Sequence, residues 1–244
     1  AFERAREDFS RIAAADPKDP AAVFHRGRAW AEAGQDTAAF ADFTRCLQID
    51  SGYVDAWFFR GLGAKRTGKP SRAVADLTRT IELMPSHIEA LHNRGMIFLE
   101  QRKFEDAIAD WSRILDIDPN HAQVFYNRGY ARASIGRYKE AASDFTRSLE
   151  LAPEDAQAWF NRGYARAETG DLKGAVEDYT RAVALLPDYE RAFHARALAN
   201  SELGKFAAAV ADYDRVLALS PENAGAVYQR AKVHLRLKQL EKAK

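Results

Sequence analysis

The fold is decided by a stretch of 34 residues, numbers 156–189, which reads AQAWFNRGYARAETGDLKGAVEDYTRAVALLPDY. The preceding 34 residues, 122–155, read AQVFYNRGYARASIGRYKEAASDFTRSLELAPED and follow the same pattern. Outward from this pair, an arginine recurs every 34 residues without an insertion, at Arg26, Arg60, Arg94, Arg128, Arg162, Arg196 and Arg230. The residue after it is always small, at Gly27, Gly61, Gly95, Gly129, Gly163, Ala197 and Ala231. The chain therefore consists of internal repeats with a period of 34 residues.

Each repeat is predicted to hold two helices. Apolar residues recur at helical spacing on both sides of a central break, which usually contains a glycine: Gly34, Gly68, Gly136, Gly170 and Gly204. Glycine accepts the left-handed backbone that ends a helix. A proline that cannot continue the second helix stands near the end of most repeats, at Pro85, Pro119, Pro153, Pro187 and Pro221. The sequence therefore predicts an all-α fold of antiparallel helix pairs.

The period and the helix-turn-helix unit resemble the tetratricopeptide repeat, whose pattern is Trp-x2-Leu-Gly-x2-Tyr, followed by Ala, an aromatic residue, Ala and Pro. In residues 156–189 the matching positions are Trp159, Gly163, Ala175, Tyr179, Ala182 and Pro187. Two residues depart from the pattern, because Arg162 replaces the leucine and Arg166 replaces the tyrosine. The resemblance covers essentially the whole chain and implies a right-handed superhelical solenoid.

We expect a single repeat array over residues 1–244. It divides into a second half-repeat at 1–19, full repeats at 20–53, 54–87, 88–121, 122–155, 156–189 and 190–223, and a partial repeat at 224–244. A solenoid usually needs terminal repeats with a polar outer face, and neither end supplies an obvious one. We therefore expect the parent protein to continue in both directions. The alternative is that the chain ends here and that its terminal helices fray.

The composition is that of a folded protein and favours neither nucleic acid nor a membrane as a partner. Lys plus Arg number 36 and Asp plus Glu 35, so the net charge of +1 gives no strong positive field. No apolar run approaches the ~20 residues that span a bilayer. The single cysteine, Cys46, excludes an internal disulfide, and a cytoplasmic location is expected. Because residue 1 is Ala, removal of a signal peptide stays open, and with it a secreted or periplasmic location.

No residues suggest catalysis, a cofactor or a metal. The sequence has no glycine-rich phosphate loop, no nucleophile elbow and no triad signature. His87, His92 and His121 fall near the junctions around the third repeat, but no carboxylate or cysteine of fixed spacing joins them, so ordinary histidines are preferred. Cys46 stands where the family has a small buried alanine and is expected to be an inert thiol. The chain is therefore predicted not to be an enzyme.

A regular aspartate accompanies the repeated arginine, at Asp42, Asp76, Asp110, Asp144, Asp178 and Asp212. The turn near Gly136 lies eight residues after Arg128 and eight before Asp144, which places these two level across an antiparallel pair. The same spacing relates Arg162 to Asp178. A second arginine follows three residues after each of these aspartates, on the same helical face. We prefer structural ion pairs to a basic ladder for an acidic ligand, because charges near a core are normally paired.

By resemblance to the family, the ligand-facing positions lie on the concave face of the first helices. Aromatic side chains and amides concentrate there in the third to fifth repeats. Evenly spaced asparagines can bond the backbone of an extended peptide, and rigid aromatics can take its apolar side chains. The predicted peptide-binding residues are Asn93, Asn127, Asn161, Tyr126, Tyr130, Phe160, Tyr164, His92 and His194. The alternative is that the aromatics pack between neighbouring repeats and the asparagines bond locally.

The predicted function is a scaffold or adaptor that binds a partner protein or an extended peptide in the concave groove. The basic clamp with which some family members hold a terminal carboxylate is not supplied, since Lys and Arg are scattered at the inner positions. Two alternatives stay open. The chain could be a regulatory or targeting arm of a larger multidomain enzyme, or a self-assembling module that forms homo-oligomers through its repeat ends.

Overall fold

The computed structural model describes residues 2–242, and within them the chain forms fourteen α-helices and no strand. The helices are α1 (Phe2–Ala15), α2 (Pro20–Glu32), α3 (Asp36–Ile49), α4 (Val54–Arg66), α5 (Pro70–Leu83), α6 (Ile88–Glu100), α7 (Phe104–Ile117), α8 (Ala122–Ser134), α9 (Tyr138–Leu151), α10 (Ala156–Glu168), α11 (Leu172–Leu185), α12 (Glu190–Glu202), α13 (Phe206–Leu219) and α14 (Ala224–Lys242). The prediction of an all-α fold is confirmed. Among the described residues, no helix combines the length and the apolar character needed to cross a membrane.

The helices belong to two compact units, residues 1–117 with α1 to α7 and residues 118–244 with α8 to α14. In the first unit α2 packs on α3, α4 on α5 and α6 on α7, while in the second α8 packs on α9, α10 on α11 and α12 on α13. The first helix of a pair begins at residues 20, 54 and 88 in one unit and at 122, 156, 190 and 224 in the other. That the two units form a single array stays a prediction.

A residue with left-handed backbone follows the first helix of each complete pair. Five of these residues are glycines, with φ between 70° and 86°: Gly34, Gly68, Gly136, Gly170 and Gly204. Between α6 and α7 the same place is taken by Arg102, with φ of 60°, and it is the one non-glycine residue of positive φ within the described chain. The glycines identified from the sequence therefore end their helices as expected, and Arg102 adopts the same conformation without the advantage of a missing Cβ.

Replacing Arg102 by glycine is expected to raise the free energy of unfolding by about 1 kcal/mol. A residue with a Cβ is destabilised by roughly 1–2 kcal/mol in the left-handed region. Glycine avoids this strain, but it loses more conformational freedom on folding, which offsets part of the gain. Arg102 is exposed, so its side chain contributes little packing. Urea denaturation measures the change. Gly136→Arg, the reverse substitution at the same place between α8 and α9, should lower the free energy of unfolding by a similar amount. If Arg102→Gly leaves the free energy of unfolding unchanged, the backbone of Arg102 is not strained.

The small residue after each arginine lets the two helices of a pair approach closely. A Cβ at Gly163 would lie 2.8 Å from Cε1 of Tyr179, and one at Gly95 would lie 2.9 Å from Nε1 of Trp111. Both rings are buried. Buried aromatic rings of this size supply much of the core's apolar area. A large ring in the second helix therefore fits against a small residue in the first, which explains why the position holds Gly or Ala.

Candidate functional site

The repeated arginines form bidentate ion pairs with the repeated aspartates inside the helix pairs. Arg162 donates from Nε to Asp178 Oδ2 at 2.9 Å and from Nη2 to Oδ1 at 2.7 Å. Arg128 and Asp144 meet in the same way at 3.0 and 2.7 Å. The other bidentate pairs are Arg26–Asp42, Arg60–Asp76, Arg94–Asp110 and Arg196–Asp212. The prediction of structural pairing is confirmed, and the level placement shows that the paired helices are antiparallel.

The same guanidinium also reaches the preceding helix pair. Arg162 donates from Nη1 to the Thr146 hydroxyl on α9 at 3.3 Å, and Arg196 does so to Thr180 on α11 at 3.0 Å. In the first unit the corresponding bonds are Arg60 to Thr44 at 3.2 Å and Arg94 to Thr78 at 2.9 Å. An aromatic face lies beside the same guanidinium, as in Arg162 over Trp159 at 4.6 Å. These arginines therefore join three helices and are structural rather than ligand-binding.

The second departure from the family pattern, Arg166, is explained by the same aspartate. Arg166 contacts Asp178 Oδ2 through Nη1 at 3.0 Å, and Arg132 contacts Asp144 Oδ2 at 2.7 Å from the equivalent place on α8. The arginine three residues after the aspartate has a different role, since Arg181 lies 5.7 Å from the ring centre of Trp159. At Asp144 and Asp178 the second cation therefore comes from the first helix, one turn after the repeated arginine, and the sequence spacing alone did not reveal it. At Asp76 it is Arg72 of the same helix, at 3.7 Å.

A groove lies across three first helices of the second unit, α8, α10 and α12. It encloses a cavity of about 910 Å³. Its apolar surface includes the exposed side chains of Tyr130, Tyr164 and Leu198, of which 46%, 41% and 36% are open to solvent. Phe160 and Tyr179 also line it but are nearly buried, at 6% and 2% exposed. We call this feature the α8–α12 groove.

Five of the nine predicted binding residues line the α8–α12 groove: Tyr130, Phe160, Asn161, Tyr164 and His194. Tyr126 and Asn127 lie on the same helices but outside the groove lining, and Tyr126 packs on Phe145 with ring centres 5.7 Å apart. His92 and Asn93 lie on α6, in the first unit, and are partly buried there. The assignment of these residues to peptide binding stays a prediction.

All three asparagines of the predicted ladder make bonds within the protein. Asn161 donates to the Tyr126 hydroxyl at 2.9 Å, and Asn93 donates to the Glu89 carbonyl at 2.9 Å. Asn127 accepts a bond from Gln123 at 3.0 Å. This is the local bonding that the alternative interpretation described. A peptide could bond to these asparagines only by replacing the hydrogen bonds that they already make. The exposed tyrosine rings, by contrast, can be covered by a peptide without breaking a hydrogen bond.

Several groove residues were missed because the prediction took only His194 from the sixth repeat. Leu198, Arg191 and Glu202 lie on α12 at the ninth, second and thirteenth positions of the sixth repeat, which are ligand-facing positions of the family pattern. Applying that pattern to residues 190–223 would have found them. Tyr138, the first residue of α9, also lines the groove but lies outside the ligand-facing pattern, so the sequence did not predict it.

The electrostatics of the groove differ between its two ends. Arg191, near the start of α12, lies over the Phe160 ring at 5.1 Å. Glu190 accepts bonds from Ser220 at 2.6 Å and Asn223 at 2.9 Å, and these bonds lower the pKa of its carboxyl group. At the other end, burial and hydrogen bonding to Tyr138 and Glu168 raise the pKa of Tyr164 to about 12. Tyr164 is therefore a neutral hydrogen-bond donor at ordinary pH.

The histidine and the cysteine considered as possible reactive groups take packing roles. His87 caps α6 by accepting a bond from the Ala90 amide at 3.3 Å, and its ring lies 4.6 Å from that of Phe58. Cys46 is fully buried, and burial raises the pKa of its thiol to about 12, which keeps it protonated. In the part of the chain that the structure describes, no group of three or more His, Cys, Asp or Glu side chains is placed to hold a metal ion.

Sequence comparison identifies the family. Models described as tetratricopeptide repeat match residues 2–54 and 60–122, 94–158, 156–189, and 201–244. The chain belongs to the tetratricopeptide repeat family. No curated protein matches it in sequence. The resemblance proposed from Trp159, Gly163 and Tyr179 is thereby confirmed.

Solved structures similar to this tetratricopeptide repeat chain confirm its fold class, an all-α solenoid of helix pairs. The C-terminal part of a repeat protein from Cytophaga hutchinsonii has a TM-score of 0.75 at 20% identity, covering 93% of this chain and 94% of that one. YrrB, described as a repeat protein with an unusual peptide-binding site, has a TM-score of 0.71 at 18% identity, covering 78% and 97%. MamA has a TM-score of 0.65 at 22% identity, covering 68% and 96%. Identities this low show the fold alone.

Proposed function

We propose that the chain is a protein-interaction scaffold or adaptor that binds an extended peptide segment of a partner in the α8–α12 groove. The observation that carries this proposal is the exposure of Tyr130, Tyr164 and Leu198 in one cavity of about 910 Å³. Large apolar side chains gathered in a concave surface are typical of a binding site. Aromatic residues that are rigid and only partly buried are also typical anchors of an interface.

The rigidity of the surrounding helices supports the same proposal. Arg162 and Arg196 tie α10 and α12 to their paired helices and to the helix before them. Side chains on such fixed helices lose little further freedom when a peptide binds, which favours affinity. Tetratricopeptide repeat proteins are typically non-catalytic scaffolds, and YrrB is described as having a peptide-binding site. Self-assembly and a role as the arm of a larger enzyme stay predictions from the sequence.

The test is to select peptides on the intact chain from a random library and to measure their binding to the Leu198→Arg variant. A guanidinium in place of Leu198 should weaken binding at least about tenfold, because it removes apolar contact surface and adds a charge that a bound peptide would partly desolvate. Leu185→Arg is the matched control, since Leu185 is 39% exposed and lies at the end of α11, outside the groove lining. Equal binding by the two variants would contradict the groove as the site.

A further inference from the structure

The α8–α12 groove carries a charge opposite in sign to that of the whole chain. Its lining contains the carboxylates of Glu168, Glu190 and Glu202 against the guanidinium of Arg191. The complete chain, in contrast, has a net charge of +1. A concave surface lined by one sign of charge concentrates its field and favours ligands of the opposite sign. The groove is therefore suited to a segment that carries positive charge.

The three carboxylates are not equivalent. Glu190 already accepts bonds from Ser220 and Asn223. Glu202 also borders a smaller cavity, of about 230 Å³, whose lining includes Lys232 and Arg236. Glu168 does not line that smaller cavity, and among the residues that the structure describes no Lys or Arg lies within 4.0 Å of its carboxylate.

The arginines near Glu168 are committed to other acids. Arg166, two residues earlier on α10, contacts Asp178 at 3.0 Å and Asp171 at 3.8 Å. Arg132 on α8 contacts Asp144 at 2.7 Å and Glu140 at 3.4 Å. Each of these guanidinium groups would lose an ion pair with a nearly buried aspartate if it moved to Glu168. Glu168 is therefore open to a cation supplied by a bound ligand.

Two tyrosine rings form a corner beside the Glu168 carboxylate. The rings of Tyr138 and Tyr164 have centres 6.0 Å apart and planes at 80°. Tyr164 and Glu168 are one turn apart on α10, so their side chains share a face. All three side chains line the groove. We call this arrangement the acidic corner.

We propose that the acidic corner binds a cationic side chain, lysine or arginine, of the peptide that occupies the groove. Two perpendicular aromatic rings offer negative π-faces to a cation, and the carboxylate supplies a charge-assisted hydrogen bond. The exposed apolar surface of Tyr130, Tyr164 and Leu198 lies in the same groove and takes the apolar residues of the same segment. This inference rests on the proposed function, and it adds the chemical class of the partner segment, which is basic and apolar rather than acidic.

The experiment uses the intact chain and peptides selected on it from a random library. The selected peptides should share a Lys or Arg position, and replacing that residue by norleucine should weaken binding to the unmodified chain about tenfold. With Glu168→Gln, the same peptide change should have a much smaller effect, since the carboxylate that it served is gone. Glu177→Gln is the control, since Glu177 is exposed on α11 and lies outside the groove lining, and it should keep the full tenfold difference. Circular dichroism should show an unchanged fold, because both glutamates are exposed.

The outcomes separate this inference from the proposed function. If binding falls with Leu198→Arg but the peptides share no basic residue, the groove is the binding site and the acidic corner is wrong. The acidic corner is also wrong if the norleucine substitution in the peptide weakens binding to the unmodified chain and to the Glu168→Gln variant by the same factor. If no peptide is selected, or if binding ignores Leu198→Arg, the proposed function fails and the corner fails with it.

Discussion

Replacing Asp178 by alanine is expected to lower the free energy of unfolding by about 3 kcal/mol. Asp178 is 1% exposed and contacts both Arg162 and Arg166. Its removal leaves Arg162, which is 9% exposed, without its carboxylate. Breaking a buried pair by removing one partner is strongly destabilising because the remaining charge is uncompensated. Urea denaturation followed by circular dichroism measures the change.

Two further variants determine whether the ion pair itself is responsible. Glu177→Ala changes the exposed residue next to Asp178 and should alter the free energy by no more than about 0.5 kcal/mol. Replacing Asp178 by leucine together with Arg162 by methionine should recover part of the loss, since no buried charge is then left unpaired. If Asp178→Ala costs no more than Glu177→Ala, the pair contributes nothing to stability.

Replacing both Tyr130 and Tyr164 by alanine is expected to weaken binding of a selected peptide by at least about 2 kcal/mol, roughly thirtyfold. The two rings are the most exposed aromatic side chains in the α8–α12 groove, at 46% and 41%. Truncation removes the apolar surface that a peptide would cover, while the exposed positions leave the core intact. Isothermal titration calorimetry gives the affinity, and circular dichroism checks the fold.

The control for this double substitution is Tyr228→Ala. Tyr228 lies on α14, is 64% exposed and lies outside the groove lining, so its loss should leave the affinity unchanged. The asparagines provide a second comparison. Asn161→Ala should cost less than the tyrosine pair, because the Asn161 amide already donates to Tyr126. Binding that survives the loss of both groove tyrosines but falls with Tyr228→Ala would place the site on the surface around α14.

The sequence predicted those features that depend on a period. Arginine and aspartate at equal distances from a turn must face each other across two antiparallel helices, so Arg162 and Asp178 could be paired from numbering alone. The period also marks residue 102, midway between Gly68 and Gly136, as equivalent to the turn glycines, but the left-handed backbone of an arginine there was not predicted. The partner of Arg166 was not predicted either, because Arg166 contacts Asp178, an aspartate already paired with Arg162.

The lining of the α8–α12 groove was predicted less completely than the ion pairs, for a different physical reason. Helical spacing determines which side of α10 faces the groove, and it correctly placed Tyr164 and Phe160 there. It does not determine how deeply each side chain is buried, so Phe160 and the exposed Tyr164 looked alike from the sequence. Nor does it give the hydrogen-bond partner of an amide, which for Asn161 is a tyrosine of the preceding repeat. Burial and partner choice depend on the neighbouring helix pair, which one repeat's sequence does not contain.

The bonds from Arg60, Arg94, Arg162 and Arg196 to a threonine of the preceding helix pair bear on how such a protein can change its length. Thr146 and Thr180 stand at the same place in successive pairs, as do their partners Arg162 and Arg196. A repeat with both residues carries an acceptor for the repeat that follows and a donor for the repeat that precedes. A tandem duplication of the 34 codons for such a repeat would insert a unit in which these two bonds are already complementary. The series ends at Arg230, which pairs with Asp214 instead of a threonine.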